Sequence, residues 1–211
     1  MPRRRWCASA SCCTRPYTSR PTPNPHPNPN PNPHPHPHPH PNPNPNPHPN
    51  PNPNPNPNPN QVGPGTGVAP FRAFVQERGA RRGRGGGGVG DAVLYFGCRG
   101  AATDFLYRRE WQAHLASGAL QALHTAFSRE GPAKVYVQHR MAEPPNAAAV
   151  WEVLRHDEGH VYIAGASKQM PKDVRAALVR AAVDHGGLEQ AAAEALLKRL
   201  EAQRRLQCET W

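Results

Sequence analysis

The chain has 211 residues and a formal net charge of +10, and its composition changes sharply at residue 60. Residues 1–60 hold 22 of the 28 prolines, no acidic residue and five arginines, while residues 61–211 carry 20 basic and 15 acidic side chains. The high pI is therefore partly a property of the first 60 residues, so it gives little support for a nucleic-acid partner. No run of 18 apolar residues occurs, so we predict no membrane span.

Residues 1–60 are dominated by an Asn-Pro and His-Pro alternation in which every odd position from Pro21 to Pro59 is proline. Such a repeat lacks every second backbone donor and keeps the residue before each proline out of the helical region. It predicts an extended, solvated, disordered tail that is either a spacer or a mistranslated gene segment. The four histidines between positions 34 and 40 are interpreted as drift in this tract, and we predict no metal site.

The five cysteines, at positions 7, 12, 13, 98 and 208, are odd in number and match no zinc-binding spacing. An odd number without a pairing pattern is typical of a reducing compartment, so we expect a cytoplasmic protein.

Residues 61–211 are long enough for one globular domain, and their hydrophobic pattern alternates between strands and helices. Short apolar runs predict buried strands at Ala92–Gly97, at a segment ending at Ser128, and at His160–Ala166. Helical patterns cover residues 67–78, 103–117, 134–141, 146–156, 167–187 and 188–205, with the second helix opening at Thr103 and Asp104. The alternation predicts an α/β fold, with a parallel sheet flanked by helices.

The segment GPGTG places Gly63, Gly65 and Gly67 directly before the first predicted helix. Glycines at such a turn let the backbone approach a pyrophosphate, and the helix that follows offers unpaired N–H groups. The turn lacks the Lys-Ser/Thr pair of a Walker loop, and Val68 stands where a third glycine would complete GxGxxG. The motif alone therefore leaves open an ordinary glycine turn.

A second polar cluster follows the predicted strand that ends at Ser128. It contains Ser128, Arg129, Lys134, Tyr136 and Gln138. An NAD site would favour an acidic residue at such a strand end, to hold a ribose hydroxyl, whereas a hydroxyl, a guanidinium and an ammonium suit a 2′-phosphate. The alternative is a solvated basic loop, and the glycine turn upstream favours the phosphate site.

Six ordered motifs between Val62 and Trp211 resemble the NADP(H)-binding domain of the diflavin reductases. They are GPGTGVAPFRAFVQER, YFGCR, DFLYRREW, AFSREGPAKVYVQHRM, VYIAGASKQMPKDV and ETW. The family includes cytochrome P450 reductase and an NADPH-dependent diflavin oxidoreductase of cytosolic iron–sulfur assembly. The chain resembles the second more closely, since Ala164 stands where P450 reductases carry a cysteine and the chain ends at the Trp. The resemblance implies a ferredoxin-reductase-like NADP-binding fold.

The resemblance also implies a set of cofactor-binding residues. Gly65, Thr66 and Gly67 would hold the pyrophosphate of NADPH, with Arg99 nearby. The 2′-phosphate and adenosine would be bound by Ser128, Arg129, Lys134, Val135, Tyr136, Val137 and Gln138, and Asp173 would also contact the cofactor. Trp211 would stack on the isoalloxazine ring of FAD and move aside for nicotinamide, and Glu209 would support hydride transfer.

The family places an FMN and an FAD domain before the NADP(H) domain, and a buried apolar strand before the glycine turn. Only Gln61 and Val62 separate the repeat from that turn, and proline is disfavoured inside a sheet. We therefore expect a fragment: a disordered tail over residues 1–60 and an NADP(H)-binding domain over 61–211, with a truncated first strand and no flavin domains. In the intact enzyme, electrons would pass from NADPH through FAD and FMN to an iron–sulfur assembly protein. The alternatives are a P450-reductase-type fragment and a non-enzymatic protein that acts through its tail.

Overall fold

The computed structural model describes residues 58–84 and 89–211. The predicted tail before Asn58, with its histidines, lies outside the described residues. The strands are β1 (Asn58–Val62), β2 (Val93–Cys98), β3 (Ala122–Phe127), β4 (Gly159–Gly165) and β5 (Leu206–Thr210). The helices are α1 (Ala69–Gly83), α2 (Arg108–Ala116), α3 (Val137–Met141), α4 (Pro144–Arg155), α5 (Met170–Asp184) and α6 (Gln190–Ala202), and a 3-10 turn at Gly65–Val68 precedes α1.

The five strands form one parallel sheet in the order β3-β2-β1-β4-β5. Successive strand residues face opposite sides, and each side has its own core. Leu94 and Phe96 lie in the core with residues of α1 and α2, whereas Val62, Tyr95 and Ile163 lie in the core with residues of α3 to α6. The predicted α/β fold, with a parallel sheet between helices, is therefore confirmed. None of the helices in the described ranges is long and apolar enough to cross a membrane.

The first strand departs from the sequence prediction. We expected proline to keep the end of the repeat out of the sheet, but Asn58–Val62 forms β1, the central strand. β1 pairs with β4 from Asn58 onward and with β2 from Asn60 onward. The predicted boundary at residue 60 is therefore wrong, because the last three residues of the repeat belong to the sheet.

Proline is tolerated at position 59 because of the direction in which its missing N–H would point. The Gly63 N–H donates to the Tyr95 carbonyl, on the β2 side. Backbone N–H groups alternate sides along a strand, so an N–H at Pro59 would also face β2. The ladder with β2 begins only at Asn60, and Pro59 therefore removes no hydrogen bond that the sheet would make.

Two polar side chains of β1, those of Asn60 and Gln61, are buried. Asn60 is 1% exposed and Gln61 is 0% exposed. Nδ2 of Asn60 and both Nε2 and Oε1 of Gln61 have no hydrogen-bond partner among the described residues. The backbone of β1 thus pairs with the strands on both sides, whereas the side chains of Asn60 and Gln61 are polar and do not suit a dry core.

Two other elements differ from the prediction. The helix expected to open at Thr103 and Asp104 begins at Arg108, after Tyr107 in a left-handed conformation with φ 59°. The Asp104 carboxylate accepts N–H groups that precede it in the chain, so it closes a loop and does not cap the helix. The terminal residues, for which we predicted no element, form β5 as an edge strand beside β4.

Candidate functional site

The carboxyl ends of all five strands lie along one edge of the sheet, and the strand order reverses direction between β1 and β4. Ligands of open α/β sheets bind at such a switch point. A cleft of about 590 Å³ lies there. Among the predicted site residues, its lining includes Gly65, Arg99, Ser128, Val135, Tyr136, Val137, Gln138 and Asp173.

The glycine turn forms one wall of this cleft, and two of its glycines are required by the backbone. Gly65 has φ +59°, a left-handed conformation that favours glycine. A Cβ on Gly67 would lie 2.0 Å from the carbonyl oxygen of Ala164 on β4. The turn therefore packs directly on the neighbouring strand. Thr66 and Gly67 lie in the 3-10 turn beside the cleft and do not line it.

The β2 end contributes a thiol and an ion pair. Cys98 is 8% exposed, and burial raises the pKa of its thiol to about 11, so the thiol is protonated at neutral pH. Arg99 donates from Nε to Oδ2 of Asp104 at 2.9 Å. The Arg99 side chain is 59% exposed, so its guanidinium lies at the mouth of the cleft.

The β3 end carries the basic loop, which is joined to the β2 end through the backbone. The Ser128 and Arg129 N–H groups donate to the carbonyls of Cys98 and Arg99, each at 2.9 Å. Arg129 and Lys134 are exposed and do not line the cleft, but they belong to the same loop as Ser128. The loop ends at Tyr136, which precedes α3 and is 42% exposed.

Asp173, in the first turn of α5, joins the two sides of the cleft. Its Oδ2 accepts from Nε2 of Gln138 at 3.2 Å, and its Oδ1 accepts from Nε2 of Gln169 at 2.8 Å. The first contact links α5 to α3. The structure therefore brings two of the predicted residues, Gln138 and Asp173, into direct contact.

Trp211 follows β5, and its backbone is held next to the cleft. Its N–H donates to the Gly165 carbonyl at 3.1 Å, and its carbonyl accepts from the Ser167 N–H at 3.0 Å. Ala166, between these two partners, lines the cleft. The Trp211 side chain is 62% exposed and presents its ring to solvent. Glu209 is exposed on β5 and does not line the cleft.

Comparisons with known proteins identify the family. A family model described as the oxidoreductase NAD-binding domain matches residues 62–176. The chain belongs to this family. The NAD-binding domain is 44% identical over 150 residues to the NADPH--cytochrome P450 reductase of Musca domestica, covering 71% of this chain and 22% of the relative. It is 46% identical over 146 residues to the sulfite reductase [NADPH] flavoprotein alpha-component of Shewanella oneidensis, covering 69% and 23%.

A third relative, the NADPH-dependent diflavin oxidoreductase 1 of Xenopus laevis, is 45% identical over 150 residues, covering 71% of this chain and 24% of the relative. The predicted resemblance to the NADP-binding domain of diflavin reductases is confirmed by these relatives. The chain spans about a quarter of the length of the curated relatives it matches.

Sequence reasoning missed several residues that line the cleft of the NAD-binding domain, among them Asp104 and Gln169. Asp104 lies five residues beyond Arg99, and Gln169 lies four residues before Asp173, the spacing of one helical turn. The spacing of Gln169 is a signal from which that residue could have been found, whereas a separation of five residues in a loop gives no such signal for Asp104.

A second cleft, of about 820 Å³, lies between α4 and α6. It contains none of the predicted site residues and lies away from the carboxyl ends of the strands, so we assign the candidate site to the smaller cleft. Its lining comprises Trp151, Leu154, Arg155, Asp157, Leu188, Ala192, Ala195, Leu196, Arg199, Gln203 and Arg205.

Proposed function

We propose that this chain binds NADPH and serves as the NADP(H) module of a diflavin reductase. The observation that carries the proposal is the meeting of the glycine turn and the basic β3 loop in one cleft at the switch point. The acidic residue of that loop, Glu130, accepts the Ala101 N–H. Its Oε1 is thus used within the protein, and Ser128 and Arg129 come before Glu130 as the first polar side chains after β3.

The residues present fit each part of the cofactor. The backbone around Gly65 and Gly67 would meet the pyrophosphate together with Thr66 and the exposed guanidinium of Arg99. Ser128, Arg129 and Lys134 would bind the 2′-phosphate. The adenine would lie beside Val135, Tyr136 and Val137, with Tyr136 available for stacking. Gln138 and Asp173, joined by their hydrogen bond, would contact the cofactor together.

Bound NADPH would supply a hydride from nicotinamide C4, and FAD in the intact enzyme would receive it before electrons pass to FMN. The contribution of this chain would be orientation. The phosphate contacts would fix the cofactor along the strand ends. The exposed ring of Trp211, whose backbone is bonded to Gly165 and Ser167, would supply the stacking surface for the flavin. Glu209, on β5 two residues before Trp211, would place a carboxylate beside the nicotinamide.

Calorimetric titration of the full chain with 2′,5′-ADP and with 5′-AMP tests this proposal. A 2′-phosphate bound by charged side chains should give 2′,5′-ADP an advantage of about tenfold or more. Replacing both basic residues, Arg129→Ala with Lys134→Ala, should remove most of that advantage. Lys198→Ala, on the exposed surface of α6, is the matched control and should leave it intact. Equal affinities for the two nucleotides would contradict the proposal.

We further propose that the intact enzyme is cytoplasmic and passes electrons to an iron–sulfur assembly protein. The support for this acceptor is the resemblance noted in the sequence, with Ala164 at a position where P450 reductases carry a cysteine, since the identities of 45% to the Xenopus laevis relative and 44% to the Musca domestica P450 reductase do not separate the two types. The test is to join this chain to the flavin domains of that relative and, separately, to those of the Musca domestica P450 reductase. Faster NADPH-dependent flavin reduction in the first chimera is expected, and faster reduction in the second would favour the P450-reductase type.

A further inference from the structure

We propose that Asp104 is a positioning residue that orients the Arg99 guanidinium toward the phosphates of the bound nucleotide. The inference rests on the proposed function and adds a residue to it. Asp104 lines the same cleft as Arg99 and Gly65. It therefore lies where a change in its side chain alters the cleft directly.

The two oxygens of the Asp104 carboxylate share one donor, the Arg99 N–H, and differ in their other partners. Oδ1 accepts from the backbone N–H groups of Arg99 and Gly100, each at 3.0 Å, and from the Thr103 hydroxyl at 2.9 Å. Oδ2 accepts from Nε of Arg99 at 2.9 Å and, at 3.2 Å, from its N–H. Both oxygens thus hold the loop through the Arg99 N–H, and Oδ2 also directs the guanidinium.

Three successive N–H groups of this loop are taken by carboxylates of the protein itself. Those of Arg99 and Gly100 donate to Asp104, and that of Ala101 donates to Glu130 in the β3 loop. Successive N–H groups of this kind form a site for an anion. The protein's own acids occupy these three N–H groups, and the exposed Arg99 guanidinium is the positively charged group of residues 99–104 that can meet a phosphate.

The Asp104 carboxyl group is ionised at neutral pH. The Gly100 N–H above all, followed by the Arg99 side chain and N–H and the Thr103 hydroxyl, holds the pKa of Asp104 well below its usual range, while partial burial opposes this. An ionised carboxylate makes a shorter and stronger hydrogen bond to a guanidinium than a neutral group does. Arg99 donates to no other side chain among the residues that the structure describes, so Asp104 alone fixes its direction.

Asp104→Asn separates the two roles. Its amide oxygen can replace Oδ1 and keep the loop closed, whereas its NH₂ group cannot accept from Nε of Arg99. The affinities of the full chain for NADP⁺ and for 2′-AMP, which lacks the pyrophosphate, would be measured by calorimetry. We expect Arg99→Ala to weaken NADP⁺ binding about 10-fold or more and Asp104→Asn to weaken it about 3-fold to 10-fold. Neither variant should change 2′-AMP affinity by more than about 2-fold.

Two further measurements separate orientation from a simple change in charge. Removing a negative charge near a phosphate would by itself strengthen binding, so a loss of NADP⁺ affinity in Asp104→Asn reports orientation. In the Arg99→Ala background, Asp104→Asn should cause no further loss. Arg109→Ala, an exposed arginine of α2 outside the cleft, is the control for loss of a positive charge and should bind both nucleotides as the wild type does.

The inference is overturned if Asp104→Asn binds NADP⁺ as tightly as the wild type, or if it weakens NADP⁺ and 2′-AMP equally, since the second result would mean a general loss of structure. Failure of the proposed function gives a different result, because the wild-type chain itself would then bind neither nucleotide.

Discussion

Replacing the buried amides of β1 with apolar side chains should stabilise the domain. Asn60 and Gln61 face opposite cores of the sheet, and three of their polar atoms have no partner among the described residues. Asn60→Val and Gln61→Leu keep nearly the same volume, so neither should open a cavity or overpack its core. Both give the central strand the apolar side chains that suit a strand buried on both faces.

The size of the effect follows from the cost of the unpartnered groups. Burying a polar group without a hydrogen bond costs about 1–3 kcal/mol, and each substitution removes one such side chain. For a domain of this size, about 1 kcal/mol corresponds to about 3 °C in the melting temperature. Each single variant should therefore melt about 3–9 °C higher than the wild type. The double variant should approach the sum, because the two side chains lie on opposite faces.

Thermal unfolding followed by circular dichroism measures the shift, with urea unfolding as a second measure of the free energy of unfolding. Gln112→Leu is the matched control because Gln112 is exposed on α2, where the same chemical change should alter stability by no more than about 0.5 kcal/mol. An unchanged or lower melting temperature in Gln61→Leu, with the control unaffected, would refute the reasoning. It would mean that the amide of Gln61 is satisfied in the folded protein.

Two further predictions concern the turn and the β3 edge. Gly67→Ala should lower the free energy of unfolding in urea by about 1–3 kcal/mol, because its Cβ would lie 2.0 Å from the Ala164 carbonyl oxygen. In Gly83→Ala the added Cβ would meet no atom within 4 Å among the described residues outside its own helix and chain neighbours, so this control should not destabilise the domain. Equal effects of the two substitutions would contradict the close packing of the turn. Burial lowers the pKa of His124 in the folded protein. As the pH falls, the unfolded chain therefore takes up a proton at this histidine near pH 6.5, before the folded protein does. The free energy of unfolding should consequently fall as the pH drops from 7.5 to 5. His124→Phe keeps a ring stacked on Tyr95 and should reduce that fall in urea titrations at the two pH values; an unchanged fall would exclude His124 as its source.

The apolar runs of the sequence predicted the sheet where side-chain burial decides the structure. Ala92–Gly97 and His160–Ala166 became β2 and β4 within one residue at each end. β5 escaped prediction because it is an edge strand in which Leu206 alone is buried. Backbone hydrogen bonds to β4 hold β5 in the sheet. Its side chains therefore carry no alternating apolar pattern from which the strand could be predicted.

β1 and the β2–α2 loop were mispredicted for a different reason. Local propensity counts Pro59 and Asn60 against a strand, but the sheet accepts them because β1 lies between two strands that supply its hydrogen bonds. Thr103 and Asp104 have the composition of a helix start, yet the carboxylate bonds backward to Arg99 and Gly100. In both segments, the structure is decided by hydrogen-bond partners that lie outside the local sequence pattern. The glycine turn and the basic loop were placed correctly by sequence, although their roles in binding stay predictions.

The origin of β1 in a two-residue repeat has a consequence for variation in repeat number. Adding or removing whole Asn-Pro units leaves Asn-Pro-Asn in front of Gln61, since each lost unit is replaced by an identical one. Changes in tract length by even numbers of residues should therefore be silent for the domain. Loss of Asn60 alone would instead place a proline where the N–H faces β4, along the ladder that β1 forms over its full length. The domain would thus tolerate the gain or loss of whole Asn-Pro units, but not a one-residue change that shifts the prolines relative to Gln61.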